Sequence, residues 1–199
     1  MSIKQQLLVI GRSHFARDGY EGASLAKIAT EAGIKKPSIY AHFNSKADLF
    51  LQVLHRAARV QQHSLRRYML KHHHQTLEDK LHGLLEHMQE LYRSDDTIKF
   101  VMRMSFFPPQ ELEDEVMPLI YGMLDTMENQ LVRLFEHNLH KENLNCSVSA
   151  TQAARAYMTC ADGILLEVLY GQEHRSIQRL DATWPIYWNG IIGKEQHLS

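Results

Sequence analysis

Cysteine is scarce in this chain: Cys146 and Cys160 are the two among 199 residues. Two thiols in one region make neither a disulfide framework nor a repeated CxxC metal site, and they fit a reduced, cytoplasmic setting. Proline is also rare, with five residues, and Pro108, Pro109 and Pro118 lie close together. Glycine numbers 10. With so few breakers, apolar residues recur at three and four over long segments, which predicts an all-α fold. No run approaches about eighteen apolar residues, so no spanning helix and no membrane partner is expected. The opening MSIKQQLLVIGRSHFARDGY is too polar and too basic along its length for a secretory signal. There is no Gly-rich phosphate loop, no GxSxG and no HExxH, and lone acids such as Asp162 and Glu167 have no visible partner. Neither an enzyme nor a cofactor is therefore expected.

What the chain does have is unevenly placed charge. Residues 1–60 hold nine Lys and Arg against four Asp and Glu, whereas the remainder holds thirteen against nineteen. The whole chain sums to −1. A basic first part on a near-neutral protein suggests that this part meets a polyanion.

The first helix is expected over about Ser2–Arg17, ended by Asp18-Gly19-Tyr20 with Gly19 in the capping place. Ser24 opens a short helix, SLAKIATEAG, as an N-cap whose hydroxyl can accept a backbone N–H. Leu25, Ile28, Ala29 and Ala32 give it a buried side, and Gly33 stops it. A second short helix is expected from about Lys36 to Phe43, with Pro37 in its first turn. The next helix restarts at about Ser45 and runs to about Leu70. Two short helices across a tight glycine turn form a helix-turn-helix, whose second helix enters the DNA major groove. Ile39 and Phe43, four apart, anchor that helix inward. Lys35, Lys36, Ser38, Tyr40 and His42 are left for the outer face and its edges, where cations and hydroxyls meet phosphates. Lys46, in the first turn of the following helix, has the same chemistry, and a helix N-terminus offers N–H groups to a phosphate.

The stretch FARDGYEGASLAKIATEAGIKKPSIYAHFNSKADLF resembles the DNA-binding region of the TetR (tetracycline-repressor-like) family. The resemblance rests on Phe15, Gly19-Tyr20, Ser24, Ile28-Ala29, Ala32-Gly33-Ile34, Tyr40, His42-Phe43, Lys46 and Leu49. It implies an all-helical homodimeric repressor of double-stranded operator DNA, released by a small-molecule effector. The domains expected are a three-helix head at 1–47 and an effector-binding and dimerisation domain at 48–199. The DNA-contacting set becomes Ser24, Lys35, Lys36, Ser38, Tyr40, His42 and Lys46. The chain departs from the family at Gly11, often Ala, at Ala23, often Thr, and at Lys35, usually a Ser or Thr cap.

Beyond the head, helices are expected at about 77–91, 95–105, 111–139, 149–170 and 176–192, with Pro118 early in the third of these. SFFPPQEL breaks the chain between the second and third. The last two helices, one rich in small residues and one carrying Leu180, Trp184, Tyr187, Trp188 and Ile191, suit a four-helix homodimer interface. Adaptable methionines and aromatics mark the candidate site for a largely hydrophobic effector: Met104, Phe107, Tyr121, Met123, Met127, Tyr157 and Trp184. KHHHQ at 71–75, with His63, His82 and His87, raises a metal-sensing regulator of the same fold as the alternative. Against it, three consecutive histidines point around a helix, and His82 and His87 are five apart rather than three or four. No metal ligand is therefore assigned. Cys160 is expected to be a small core residue.

Overall fold

The computed structural model describes residues 1–171 and 173–192. The parts of the expected 48–199 domain at Gln172 and 193–199 lie outside the described residues. Among these, nine α-helices and one 3-10 turn follow in order: α1 (Ile3–Gly22), α2 (Leu25–Glu31), α3 (Lys36–Ile39), α4 (Lys46–Lys71), α5 (Leu77–Ser94), α6 (Asp96–Phe106), the turn Gln110–Leu112, α7 (Glu113–Lys141), α8 (Ala150–Leu169) and α9 (Glu173–Ile191). An isolated bridge between Cys146 and Ile192 is the extended pairing described. The chain divides into two units, one of Met1–Ser64 and Ser94–Gly122, the other of Leu65–Arg93 and Met123–Ser199.

In the first unit, Ser2 and Gln5 cap α1 reciprocally: Gln5 N–H donates to Ser2 Oγ (3.3 Å) and Ser2 N–H to Gln5 Oε1 (3.2 Å). The regular helix ends at Gly19, whose φ of 73° only glycine adopts freely. A last turn beyond it swings Tyr20 into the core. There Phe50 is the hub. It meets Phe15 at 5.0 Å, Tyr20 at 5.1 Å and Phe100 at 5.8 Å, each edge-on, so one ring of α4 joins α1 and α6. Arg12 donates to Thr97 Oγ1 (2.5 Å), a second tie between α1 and α6. At the start of α4, Asp48 N–H donates to Ser45 Oγ (3.0 Å) and Asn44 N–H to Asp48 Oδ2 (2.7 Å). The Gln52 amide and that Asn44 N–H hold the Asp48 carboxyl below its usual range.

Gly11 is buried in α1, and a Cβ there would stand 3.5 Å from Leu49 Cδ1, an ordinary contact. Gly11→Ala is therefore expected to stabilise the protein by about 0.5–1 kcal/mol, read as a raised urea midpoint at unchanged slope. A lowered midpoint would show that α1 and α4 have no room to spare.

The second unit is sealed by polar groups that find partners inside it. Tyr157 is fully buried and donates its hydroxyl to Leu81 O (2.8 Å); Tyr187 does the same to Ala153 O (2.9 Å). Burial drives both phenols well above their ordinary range. Lys80, buried on α5, donates to Asn138 Oδ1 (2.8 Å), and burial lowers its affinity for a proton. Glu142 accepts the first N–H of α5, from Leu77 (2.9 Å). α8 and α9 run antiparallel, since Ala153 pairs with Tyr187 and Ile164 with Ser176. Arg175 (3.1 Å) and Arg179 clamp the buried Glu167, so the acid that looked partnerless in sequence has two partners from α9. Cys160 is half-buried rather than core, because its place on α8 faces partly outward; burial still raises its thiol pKa and keeps it protonated.

Candidate nucleic-acid interface

α2 and α3 close on a common apolar seam. Leu25, Ile28, Ala29 and Ala32 on one side and Ile39 and Phe43 on the other are all buried. The turn between them is a Schellman closure: Gly33 N–H donates to Thr30 O (3.1 Å) and Ile34 N–H to Ala29 O (3.0 Å). It requires the φ of 71° at Gly33. Pro37 follows in the first turn of α3, where a missing N–H leaves no bond unmade.

α3 is shorter than expected. It ends at Ile39 because Ala41 N–H and His42 N–H reach back only three residues, to Ser38 O (3.3 Å) and Ile39 O (2.9 Å). Phe43 nevertheless reaches the core. Lys35, Lys36, Ser38 and Tyr40 lie on the other side and are all exposed, Tyr40 at 51%. His42 and Ser24 are half-buried. Ser24 does occupy the N-cap of α2, but its side chain makes no capping bond, so the hydroxyl stands outside the helix's own bonding. Lys35 is the N-cap residue of α3 and also makes none, because an ammonium has no lone pair to accept an N–H.

Lys46 is held by its own unit. Its Nζ donates to Glu21 O (3.1 Å) and lies 4.7 Å from the centre of the Tyr20 ring. Behind the seam, buried His14 contacts Glu31 Oε2 through Nε2 (2.9 Å), while Arg17 Nη2 lies 3.1 Å from His14 Nδ1. Arg17 donating to Nδ1 leaves the ring proton on Nε2, directed at Glu31. This tie fixes α2 to α1. Two bonds from Arg17, each 2.8 Å, hold the Asp18 carboxyl below its usual range.

Sequence reasoning missed further cations. Lys4 is exposed and lies 5.4 Å from the centre of the Phe43 ring, and Lys27 is exposed on α2. Arg56, Arg59 and His55 line a 550 Å³ groove on α4 with Leu8 and Gln52. The signal available was the absence of any acid between Asp48 and Glu78.

The expected effector residues fall in both units. In the first, Met104 is buried while Phe107 (55%) and Tyr121 (58%) are exposed. In the second, Met123 and Met127 are half-buried, Tyr157 is wholly in the core, and Trp184 lines a 730 Å³ groove. The metal-sensing alternative receives no support: among the described residues no three His, Cys, Asp or Glu come together to hold an ion. His72 and His73 contact Tyr68 O (2.9 Å) and Leu70 O (3.0 Å) through Nδ1, so local backbone occupies that nitrogen. Among the described residues no helix is long and apolar enough to cross a membrane.

Residues 7–53 match the family model for bacterial regulatory proteins of the tetR family. The HTH-type transcriptional activator FasR of Mycolicibacterium smegmatis is 45% identical over 51 residues, covering 26% of this chain and 23% of that protein. The match thus spans about a quarter of that relative. FadR from Bacillus subtilis, solved in complex with stearoyl-CoA, shares the fold at a TM-score of 0.72 and 16% identity, over 94% of this chain and 98% of that one. A transcriptional regulator from Saccharomonospora viridis, solved in complex with choline, shares it at 0.73 and 20%, over 96% and 98%. The helix-turn-helix closed at Gly33 and the family match laid over it lead to one assignment: residues 7–53 form a domain of the kind found in bacterial regulatory proteins of the tetR family, on a chain that shares the fold of those solved regulators.

Proposed function

We propose that the chain is a ligand-responsive, DNA-binding transcriptional regulator, acting as a homodimeric repressor of a two-fold-symmetric operator. One observation carries this reading. The α3 segment has an inner side committed to the protein through Ile39 and Phe43 and an outer side bearing Lys35, Lys36, Ser38 and Tyr40. Lys35 and Lys36 attract the phosphates that flank the major groove. Tyr40, His42 and the uncapping Ser24 hydroxyl supply hydrogen bonds to phosphate oxygens. Lys46, with one N–H given to Glu21 O, has two donors left for a phosphate. The head is assigned to residues 1–47 and effector response and dimerisation to 48–199.

A dimer places two heads on half-sites one DNA turn apart, roughly 34–36 Å. α8 and α9 suit that pairing, because small or apolar residues such as Ala156, Thr159, Ile177, Pro185 and Ile186 are exposed or half-buried on them. Relatives of this fold carry ligands as different as stearoyl-CoA and choline, which supports a small-molecule effector without choosing its class. Such an effector acts only by binding the DNA-incompetent state more tightly than the competent one.

Selection of bound duplexes from a random pool tests the reading. An enriched two-fold-symmetric site, with half-sites about one turn apart, is the expected result. A pool with no enriched symmetric site overturns it.

A further inference from the structure

The 730 Å³ groove of the second unit has no part in the DNA-facing side described above. One part of its wall is aromatic. Tyr68 lies against His72 (ring centres 4.1 Å) and stacks on His87 (4.8 Å), and His82 meets Trp184 edge-on at 5.1 Å. Glycine at 83 is what lets Tyr68 occupy the wall, since a Cβ there would stand 2.4 Å from Tyr68 Oη. Burial, helped by the charges of His72 and Lys71, holds His87 below the usual imidazole range and leaves it a neutral ring at neutral pH.

The rest of the wall is acidic. Glu78, Asp79 and Glu86 line it, and among the described residues no Lys or Arg does. Asp79 is partly engaged, accepting from Thr76 Oγ1 (2.8 Å), and Glu86 faces His82 Nδ1 at 3.8 Å; Glu78 has no partner among the described contacts. Acids in the first turn of α5 complement the helix dipole. That explains the acids, not the ring faces beside them. Nor does it explain Gln75, which lines the same groove with its Oε1 buried and without a hydrogen-bond partner.

We propose that this groove binds a small organic cation: a primary or secondary amine joined to a flat apolar group. The flat group lies against Tyr68 and Trp184, the ammonium faces Glu78 and Glu86, and an N–H is available for Gln75 Oε1. An anionic ligand of the same shape would meet three carboxylates and, among the described residues that line the groove, no Lys or Arg. A quaternary ammonium would bring charge but no N–H for the unmet acceptor.

The full chain provides its own reporter. Its two tryptophans, Trp184 and Trp188, both lie on α9 with ring centres 5.9 Å apart, so intrinsic fluorescence reads this groove. Titration with phenethylamine in the absence of DNA is expected to change the emission saturably, and phenylacetate, the same ring with the opposite charge, is expected not to. Glu78→Gln with Glu86→Gln, both at exposed positions, should weaken the amine about tenfold or more. Gly83→Ala, which favours the helix but displaces Tyr68, should weaken it with unchanged far-UV circular dichroism. No saturable response to the amine, an equal response to phenylacetate, or undiminished binding by the double variant overturns the proposal. Because no DNA is present, this result and the operator selection fail independently.

Discussion

Phe50→Ala is expected to destabilise the protein by about 3–5 kcal/mol. Phe50 is fully buried and meets three other rings edge-on, from α1, from the segment just past Gly19 and from α6. Truncation removes its whole transfer free energy and leaves a cavity walled by Phe15, Tyr20 and Phe100, which are themselves buried and cannot all collapse into the gap. Aromatic pairs of this geometry add about 0.5–1.5 kcal/mol beyond area burial, so the upper part of the range is the better expectation. Domains are stable by only about 5–15 kcal/mol, so the loss is a large fraction of the total. Equilibrium urea unfolding followed by circular dichroism measures it. Tyr40→Ala is the companion variant: that residue is 51% exposed, and the change should stay within about 0.5 kcal/mol of wild type. A Phe50→Ala loss below about 1 kcal/mol would mean that the ring cluster is not what joins these helices.

The second large effect concerns DNA. Lys35→Ala with Lys36→Ala is expected to weaken binding to the selected operator about a hundredfold, taking about 1.5 kcal/mol for each charged interaction. The slope of log K against log salt should fall by about 1.8, or about 0.9 for each phosphate that is no longer neutralised. Neither side chain is buried and neither makes a described bond to the protein, so the urea midpoint should not move. Fluorescence anisotropy at several salt concentrations gives both numbers. An unchanged slope would remove these lysines from the set that meets phosphates. If one of them reads a base instead, selection with the variant will show relaxed preference at one position rather than uniform weakening. Lys46→Ala should behave differently. It gives up the Glu21 carbonyl and the Tyr20 ring as well, so stability and DNA affinity should fall together.

That contrast marks how far local reading reaches. The helix-turn-helix was legible because its signals are local: an apolar rhythm at three and four, a glycine that can take positive φ, and a proline where no N–H is needed. The division of residues 36–43 into Ile39 and Phe43 inward and Lys36, Ser38 and Tyr40 outward follows from the spacing of the apolar residues alone. The end of α3 was less legible, because three-residue and four-residue closures differ by fractions of an ångström and no residue type dictates the choice. Ser24 shows the same limit. Its type suits a cap and its position is the cap, yet the side chain leaves the bond unmade.

The effector half was harder to read for a physical reason. Methionine and aromatic residues look alike in sequence whether they line a cavity or fill a core. Tyr157 looked like a ligand contact and is a core residue whose hydroxyl is taken by a carbonyl 76 positions away in sequence. Trp184 does line a groove, but with imidazoles and carboxylates rather than with the methionines expected beside it. The histidines raised a metal reading because they are numerous; the backbone and Tyr68 engage them in other ways.

By itself, then, the sequence determined an all-helical chain, the helix-turn-helix and its two faces, and the basic character of its first part, since propensity, capping and charge act over a few neighbouring residues. Tertiary structure decided the rest. It gave Lys46 to Tyr20 and Glu21, gave Glu167 to two arginines of α9, and brought Tyr68, Glu78 and Trp184 to one groove. Each of these joins residues beyond the reach of a helical turn, and side-chain bonds of that kind are chosen by which surfaces the packed helices bring within a few ångströms, a quantity that no local pattern encodes.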